Sequence, residues 1–581
     1  MFTKSTFHHF FFSQMIARSL TDSQGKSVIK IPKKFLQSDA GDGTRASQQY
    51  LHGYQLVLTL ASLVTTLFIL ALDQTIVLTL LTDVSSDFGS FTKVGWLTSG
   101  FMLPMACLAP SYGKVSIAFG RKNTLAAAII IFEIGSLIAA LAQNMDMLIG
   151  GRVIQGIGGG AIQAMVIVII SESVPIHKRP LAMALIGITF SVASVCGPFI
   201  GGAFTTHVTW RWCFYINLPI GALALIILLI ALHPPPPEGS VREKLAKIDF
   251  LGTFLITAGL VLVLLALTFG GNEYAWNSAA VIVLFVLGGV VLVLFMGWNF
   301  MLSKNPLIDG RVVAVPQIMA ACLSACFSFM FFMGLMNYLA IYFQVIHRAS
   351  AWQSGVDLLP FVITVSLTAT FNGIFMRFTR FIKLTMMTSA ILGPVGVGLL
   401  LLLGRHTSTS TKIGVLIPAG VSVGFQFQST LLAAQVKAPG HIEGSMIMVT
   451  VFLNFCKSLG GVVGVVACQV LLLARGQIYI DEALRSSGNQ QSFSSLTKKA
   501  LLQAPQAIWN LPEDARNATL DAYMKALRDV FYLNLAFAVV ALVFALFTTN
   551  EKIPKKSQLQ HSDDKPEEKE GPDLNSLTSD V

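Results

Sequence analysis

Between residues 54 and 548 the sequence is a succession of about fourteen apolar runs, most of them near the roughly 20 residues that a helix needs to cross a bilayer. A backbone in hydrocarbon must satisfy its own hydrogen bonds, and runs of this length do so as helices. The expected class is therefore an all-α membrane protein. With 54% hydrophobic residues, 12% charged residues and a mean hydropathy of +0.68, the chain lacks the polar surface to cover a soluble globule of its size. Its formal charge of +10 comes from basic residues scattered through short loops and not from a stripe, so it reads as a topology signal and not as a nucleic-acid footprint. The seven cysteines all fall in or beside apolar runs. No gapped C-x-x-C or His-rich cluster is present, and no disulfide framework or metal site is expected.

Residues 1–53 read as a polar cytosolic tail and 54–232 as six spans, at about 54–81, 94–112, 124–143 and 147–170, then one to about 204 and one ending before Pro234. Residues 233–316 hold a proline-rich charged connector and two further spans, 250–269 and 278–300, which carry no intramembrane charge. Six more spans fill 317–548, with a polar extracellular loop at 475–527, and 549–581 forms a charged cytosolic tail. If the N-terminus is cytosolic, the inward short loops hold about fourteen Lys and Arg against about five outward, so both termini are expected in the cytosol. The sequon Asn517-Ala518-Thr519 then falls outside, as a glycosylation site would.

Charged residues inside spans are costly and mark function by default. Arg152 lies in the fourth run, beside Gly156, Gly158, Gly159 and Gly160, whose bare face admits a close neighbour. Asp73 in the first run and Arg152 come to similar depths, roughly 12 and 8 Å from the outer face at the helical rise. They are expected to share one cavity, where a neighbouring charge and the wetness of the site govern whether the acid holds a proton. The alternative is that Asp73 only caps its helix. Glu133, near the middle of the third run, is either a proton or cation site or a neutral hydrogen-bonded acid. Gln155, Gln163, Asn217, Asn337 and Gln426 are candidate transport-path groups, each equally readable as glue between helices. Lys457 is a second unpaired intramembrane cation.

Five segments together resemble the major facilitator superfamily, and within it the fourteen-helix drug:proton antiporters of fungi. They are L-D-Q-T-I-V at Leu72 to Val77, G-K-V-S-I-A-F-G-R-K at Gly113 to Lys122, R-V-I-Q-G-I-G-G-G at Arg152 to Gly160, G-P-F-I-G-G at Gly197 to Gly202, and W-R-W-C-F-Y-I-N-L-P at Trp210 to Pro219. The resemblance implies two six-helix inverted-repeat halves around a midplane site, with two extra central helices. It implies proton coupling at Asp73, with Arg152 in proton transfer, and gating by Gly113, Lys114, Gly120, Arg121 and Lys122 and by Gly197, Pro198 and Gly201. The gating turn departs from the family pattern by placing Ile117 where an acid is usual, which puts the charge latch there in doubt.

The expected function is a proton-coupled exporter, monomeric and in the plasma membrane, that moves a small amphipathic organic molecule such as a toxin, secondary metabolite or drug. Lipid and protons are its other partners, and the proton gradient replaces any cofactor. An importer, or a vacuolar or vesicle carrier of siderophores or basic amino acids, is the alternative on the same fold. A ligand sensor that moves nothing is the alternative of another class. No H-E-x-x-H, G-x-S-x-G or paired-acid pattern suggests an enzyme.

Overall fold

The structure, a computed structural model, describes residues 46–88, 93, 95–235, 237, 240–270, 274–486 and 505–554. The expected tails over 1–45 and 555–581, and 487–504 of the expected loop, lie outside the described residues. Among those described, thirteen helices are long and apolar enough to cross a membrane, and no sheet forms.

The first group of helices is α1 (Gly53–Asp87), α2 (Gly95–Cys107), α3 (Ala109–Phe119), α4 (Arg121–Ala140), α5 (Met145–Ser173), α6 (Arg179–His207), α7 (Trp212–Tyr215) and α8 (Asn217–Ala231). The second expected span is thus split in two, because Pro110 in the first turn of α3 has no N–H to continue the ladder past Leu108. Neither α2 nor α3 is among the thirteen. After α9 (Val241–Ala246) come the extra pair α10 (Phe250–Phe269) and α11 (Ala279–Gly297), then α12 (Gly310–Val313). The last group is α13 (Pro316–Ile346), α14 (Ala351–Thr379), α15 (Ile382–Leu399), α16 (Thr409–Val436), α17 (Ser445–Ser486) and α18 (Glu513–Leu546).

Local chemistry starts several of these helices. The Asn144 side chain accepts from Met147 N at 2.8 Å to open α5, and Ser350 accepts from Gln353 N at 3.1 Å to open α14. Asp249 caps α10 through Gly252 N at 2.7 Å and also accepts from Trp298 Nε1 at 2.9 Å, pinning the far end of α11. Hydropathy reads membrane thickness and not helix length, so two boundaries move. Helix α17 runs on to Ser486 instead of ending near 474, and α18 begins at Glu513 instead of near 528. Polar pairs support the extensions, with Tyr479 donating to Asp529 at 2.9 Å and Arg475 pairing with Asp529 at 3.2 Å. Asn517 therefore sits on the helix and not in a loop. Its Oδ1 accepts from Arg405 Nη2 at 2.8 Å, and Thr519 is fully buried.

In the first half α1 packs on α6 and α8, α4 on α5, and α2 on α5. In the second, α13 packs on α17 and α18, α15 on α16, and α14 on α16. The pairing order recurs, as a repeated six-helix unit requires. Of the extra pair α11 is the peripheral one: 17% of the most apolar stretch of Ala279–Leu302 is buried inside the protein, against 33% for Phe250–Phe269 and 78% for Thr409–Val436.

The halves meet unevenly. At the end where residues 46–51 and 549–554 lie, one apolar core draws on both halves, placing Ile176 and Met183 with Leu431, Val436, Ile447 and Val451. Gln435 Nε2 donates to Ser171 Oγ across this seam at 2.9 Å. Toward the opposite end the buried residues fall into two separate clusters, one around Trp210, Phe214 and Leu80 of the first half and one around Tyr342, Phe361 and Phe531 of the second. Helices α6 and α14 join the halves along their length, with Gly187 against Ala369 and Gly355 against Pro198.

Candidate functional site

Two distinct sites emerge, both touching α5. The first is a buried polar network inside the first half. Arg152 on α5 is ion-paired to Asp73 on α1, and both are essentially without solvent exposure. Arg152 Nε donates to the Leu97 carbonyl at 3.0 Å and Nη1 to Gln155 Oε1 at 2.8 Å, while its guanidinium stacks 4.4 Å from the Phe101 ring centre. Asp73 Oδ1 accepts from Gln155 Nε2 at 3.1 Å and from Asn217 Nδ2 at 3.3 Å. Both amides also donate to Ser136 Oγ, at 2.7 and 3.2 Å. A buried ion pair survives only with such supporting bonds, since its desolvation cost rivals its attraction. The matching depths expected for Asp73 and Arg152 thus correspond to direct contact. Gln155 and Asn217, expected on the substrate path, serve this network instead.

Why the helices come so close is set by the glycines. A Cβ on Gly158 would strike the backbone of Phe132 and Ala128 on α4, and one on Gly160 the backbone of Met105 on α2. Close approach brings Ser136 and the Leu97 carbonyl within hydrogen-bond reach of α5. Glu133 lies one turn before Ser136 and packs against Gly221 on α8; neither of its buried carboxyl oxygens has a hydrogen-bond partner among the described residues.

The second site is a small cavity between the halves. Leu67, Gln163, Met183 and Phe190 line it from the first half, and Phe329, Phe427, Gln428, Asn454 and Lys457 from the second. Its walls are apolar and aromatic with a few polar groups, the usual make-up of a small-molecule pocket. Gln163 and Lys457 are brought here as expected path residues. Two others are not: Asn337 Nδ2 donates to Met333 O at 2.9 Å on its own helix, and Gln426 bonds Ser389 at 2.7 Å and Ser324 at 3.2 Å within the second half. The aromatic walls were hidden among 41 phenylalanines, with no signal in the sequence to single out Phe190, Phe329 and Phe427.

Of the residues expected to gate, Gly113, Lys114, Gly120, Arg121 and Lys122 lie at the closed end. Gly113 faces the Val451 side chain on α17, and Gly120 turns the chain between α3 and α4 at φ +89. Arg121, only 2% exposed, makes a two-pronged pair with Glu172, Nε to Oε2 at 2.9 Å and Nη2 to Oε1 at 3.2 Å. The end of α5 thus gives Arg121 an acid partner, and Ile117 packs against the shared core. The S-E-S at 171–173 was the available clue. Lys122 donates to the Leu229 carbonyl at 2.8 Å. Lys114 lines a crevice with Asp309 of the loop after α11. Burial pushes the Asp309 carboxyl up, but hydrogen bonds from Arg311 and the charges of Arg311 and Lys114 prevail and hold it below the ordinary carboxylate range. Gly197 sits directly on Thr75 of the L-D-Q-T-I-V segment, Pro198 meets α14 at Gly355, and Gly201 is buried.

The chain is 36% identical over 577 residues to the vacuolar basic amino acid transporter 5 of Saccharomyces cerevisiae, covering 91% of this chain and 96% of that one. It is 34% identical to azole resistance protein 1 of the same yeast, covering 93% and 94%. The crystal structure of the human organic anion transporter MFSD10 superposes with a TM-score of 0.53 at 14% identity, over 84% of this chain and 100% of that one, a likeness of fold. With the Major Facilitator Superfamily model matching residues 63–465, the chain belongs to that superfamily and is a multi-pass membrane transporter, not an enzyme.

Proposed function

We propose that this transporter is a proton-coupled exporter of a small amphipathic organic molecule, working as a monomer in the plasma membrane with both termini in the cytosol. One observation carries the reading. A single helix, α5, holds Arg152 and Gln155 in a sealed acid–base network and Gln163 in the wall of a separate apolar cavity. The sites are roughly 16 Å apart at the helical rise, too far for contact and linked by one rigid element.

A proton reaching Asp73 removes the negative charge that Arg152 faces. The guanidinium then keeps the Leu97 carbonyl, Gln155 and the Phe101 and Phe214 rings, and α5 is free to shift against α1. Glu133, near the same network and without a hydrogen-bond donor, is the second carboxyl through which the proton passes. The closed seam at the terminal end, with Arg121 on Glu172 and Gln435 on Ser171, is the cytosolic gate in its shut state. Units 54–232 and 317–548 rock about α6 and α14, and the extra pair over 233–316 rides outside.

The relative named for vacuolar basic amino acids suggests a second reading. The cavity works against it, because its lining contains Lys457 and no carboxylate.

The test is proton movement driven by substrate in sealed vesicles of known orientation, with a panel of lipophilic toxins and dyes. Wild type should dissipate an imposed proton gradient when a substrate is added, and Asp73→Asn and Arg152→Ala should each abolish this. Binding of substrates without flux in either direction would replace the exporter with a ligand sensor.

A further inference from the structure

The cavity between the halves contains a basic side chain that no carboxylate among the described residues balances. Lys457 is 7% exposed, donates to the Phe427 carbonyl at 3.1 Å, and stands 5.2 and 5.6 Å from the ring centres of Phe329 and Phe427. Among the described residues no carboxylate pairs with it. Arg152 and Arg121 in the first half, by contrast, are each matched to an acid, Asp73 and Glu172. One carbonyl and two ring faces replace only part of a lysine's hydration, so an ammonium at this depth draws an anion to itself.

The polar rim of the cavity asks for the opposite kind of group. Among the described residues, Gln163 Oε1, Gln428 Oε1 and Asn454 Oδ1 are buried acceptors with no donor. The Gln428 orientation is fixed, since its Nε2 donates to the Ala369 carbonyl at 3.0 Å. Unmet buried acceptors are costly, and an occupant that brings O–H or N–H groups to them gains accordingly.

We propose that the cavity is selective for organic acids: a carboxylate or phenolate on a bulky apolar or aromatic body that also bears hydroxyl or N–H donors. The acid group lies against Lys457, the donors against the three amide oxygens, and the body between Phe190, Phe329 and Phe427. The proposal rests on this cavity being the substrate site and assigns the substrate its charge. Organic cations, basic amino acids included, meet a like charge and are rejected.

Fluorescein and rhodamine 123 share a xanthene body and differ in charge, anionic against cationic. Fluorescence polarisation with the purified full chain in detergent at neutral pH reads the binding of each. Wild type should hold fluorescein at least about tenfold more tightly than rhodamine 123, the scale of one charge-assisted contact. Lys457→Gln should lose that factor for fluorescein and leave rhodamine 123 unchanged or improved, while Lys457→Arg retains it. Equal or tighter rhodamine binding by wild type overturns the proposal, and this comparison needs no variant to fold. So does a Lys457→Gln protein that melts like wild type and weakens both dyes alike. Because binding is read without flux, anion-selective binding with no coupled movement overturns the exporter and leaves this proposal standing. Coupled export of cationic dyes alone does the reverse.

Discussion

The two halves repeat the same helix pairing yet fill their interiors differently. The first half seals an ion pair, Asp73 with Arg152, inside a shell of Gln155, Asn217 and Ser136. In the second half, the corresponding interior between α15 and α16 is neutral: Gln426 with Ser389 and Ser324, Ser422 with Ser389, and Asn372 with Ser429. Neutral amides and hydroxyls hold helices together but do not change charge with pH, whereas an acid facing a guanidinium does. The same architecture can therefore divide its labour. One half buries the ion pair, and the other brings Lys457 and most of the aromatic wall to the cavity.

Breaking the ion pair should have the largest effect. Arg152→Ala strands a buried carboxylate and should cost about 3–5 kcal/mol of stability. It should appear as a lower melting temperature in detergent together with complete loss of coupled flux. Removing both charges with Asp73→Asn and Arg152→Leu should recover part of the melting temperature and none of the coupling. A double variant that still couples would mean the first half is as structural as the second.

Opening the latch comes next. Glu172→Gln removes the charge that holds Arg121 and should cost roughly 1.5–3 kcal/mol. Its signature is a shift in conformation: a cysteine-reactive probe placed at the seam near Ser171 should label faster than in wild type. Unchanged labelling would put the gate elsewhere. The smallest effect belongs to the neutral ladder. Gln426→Leu should lower stability by about 1 kcal/mol and leave the ratio of protons to substrate as it was, measured in the same vesicles. A changed ratio would erase the contrast between the halves.

Much of this was legible in the chain itself. That the chain is a many-helix membrane protein followed from apolar length, and the similar depth of Asp73 and Arg152 followed from counting rise along two helices. Where the reading fell short, the missing quantity was the direction each helix face points. Gln155 and Gln163 lie eight residues apart on α5 and looked interchangeable, yet one bonds Asp73 and the other lines the cavity. Asn337 and Gln426 looked like path residues and instead bond within their own half. Glu172 was passed over because its partner Arg121 is 51 residues away, and nothing local ties the end of one helix to the start of another.

Hydropathy, motif order and isolated charges thus determined by themselves that this chain crosses a membrane many times, which family it resembles and which residues are too costly to be idle. Those are properties of composition and of one-dimensional spacing. Only the tertiary structure decided which acid Arg121 finds, which amides surround Asp73, and that Lys457 faces a cavity without a carboxylate. Each depends on how helices rotate and approach one another, and that is fixed by packing at contacts such as Gly158 against Phe132, between residues far apart in sequence.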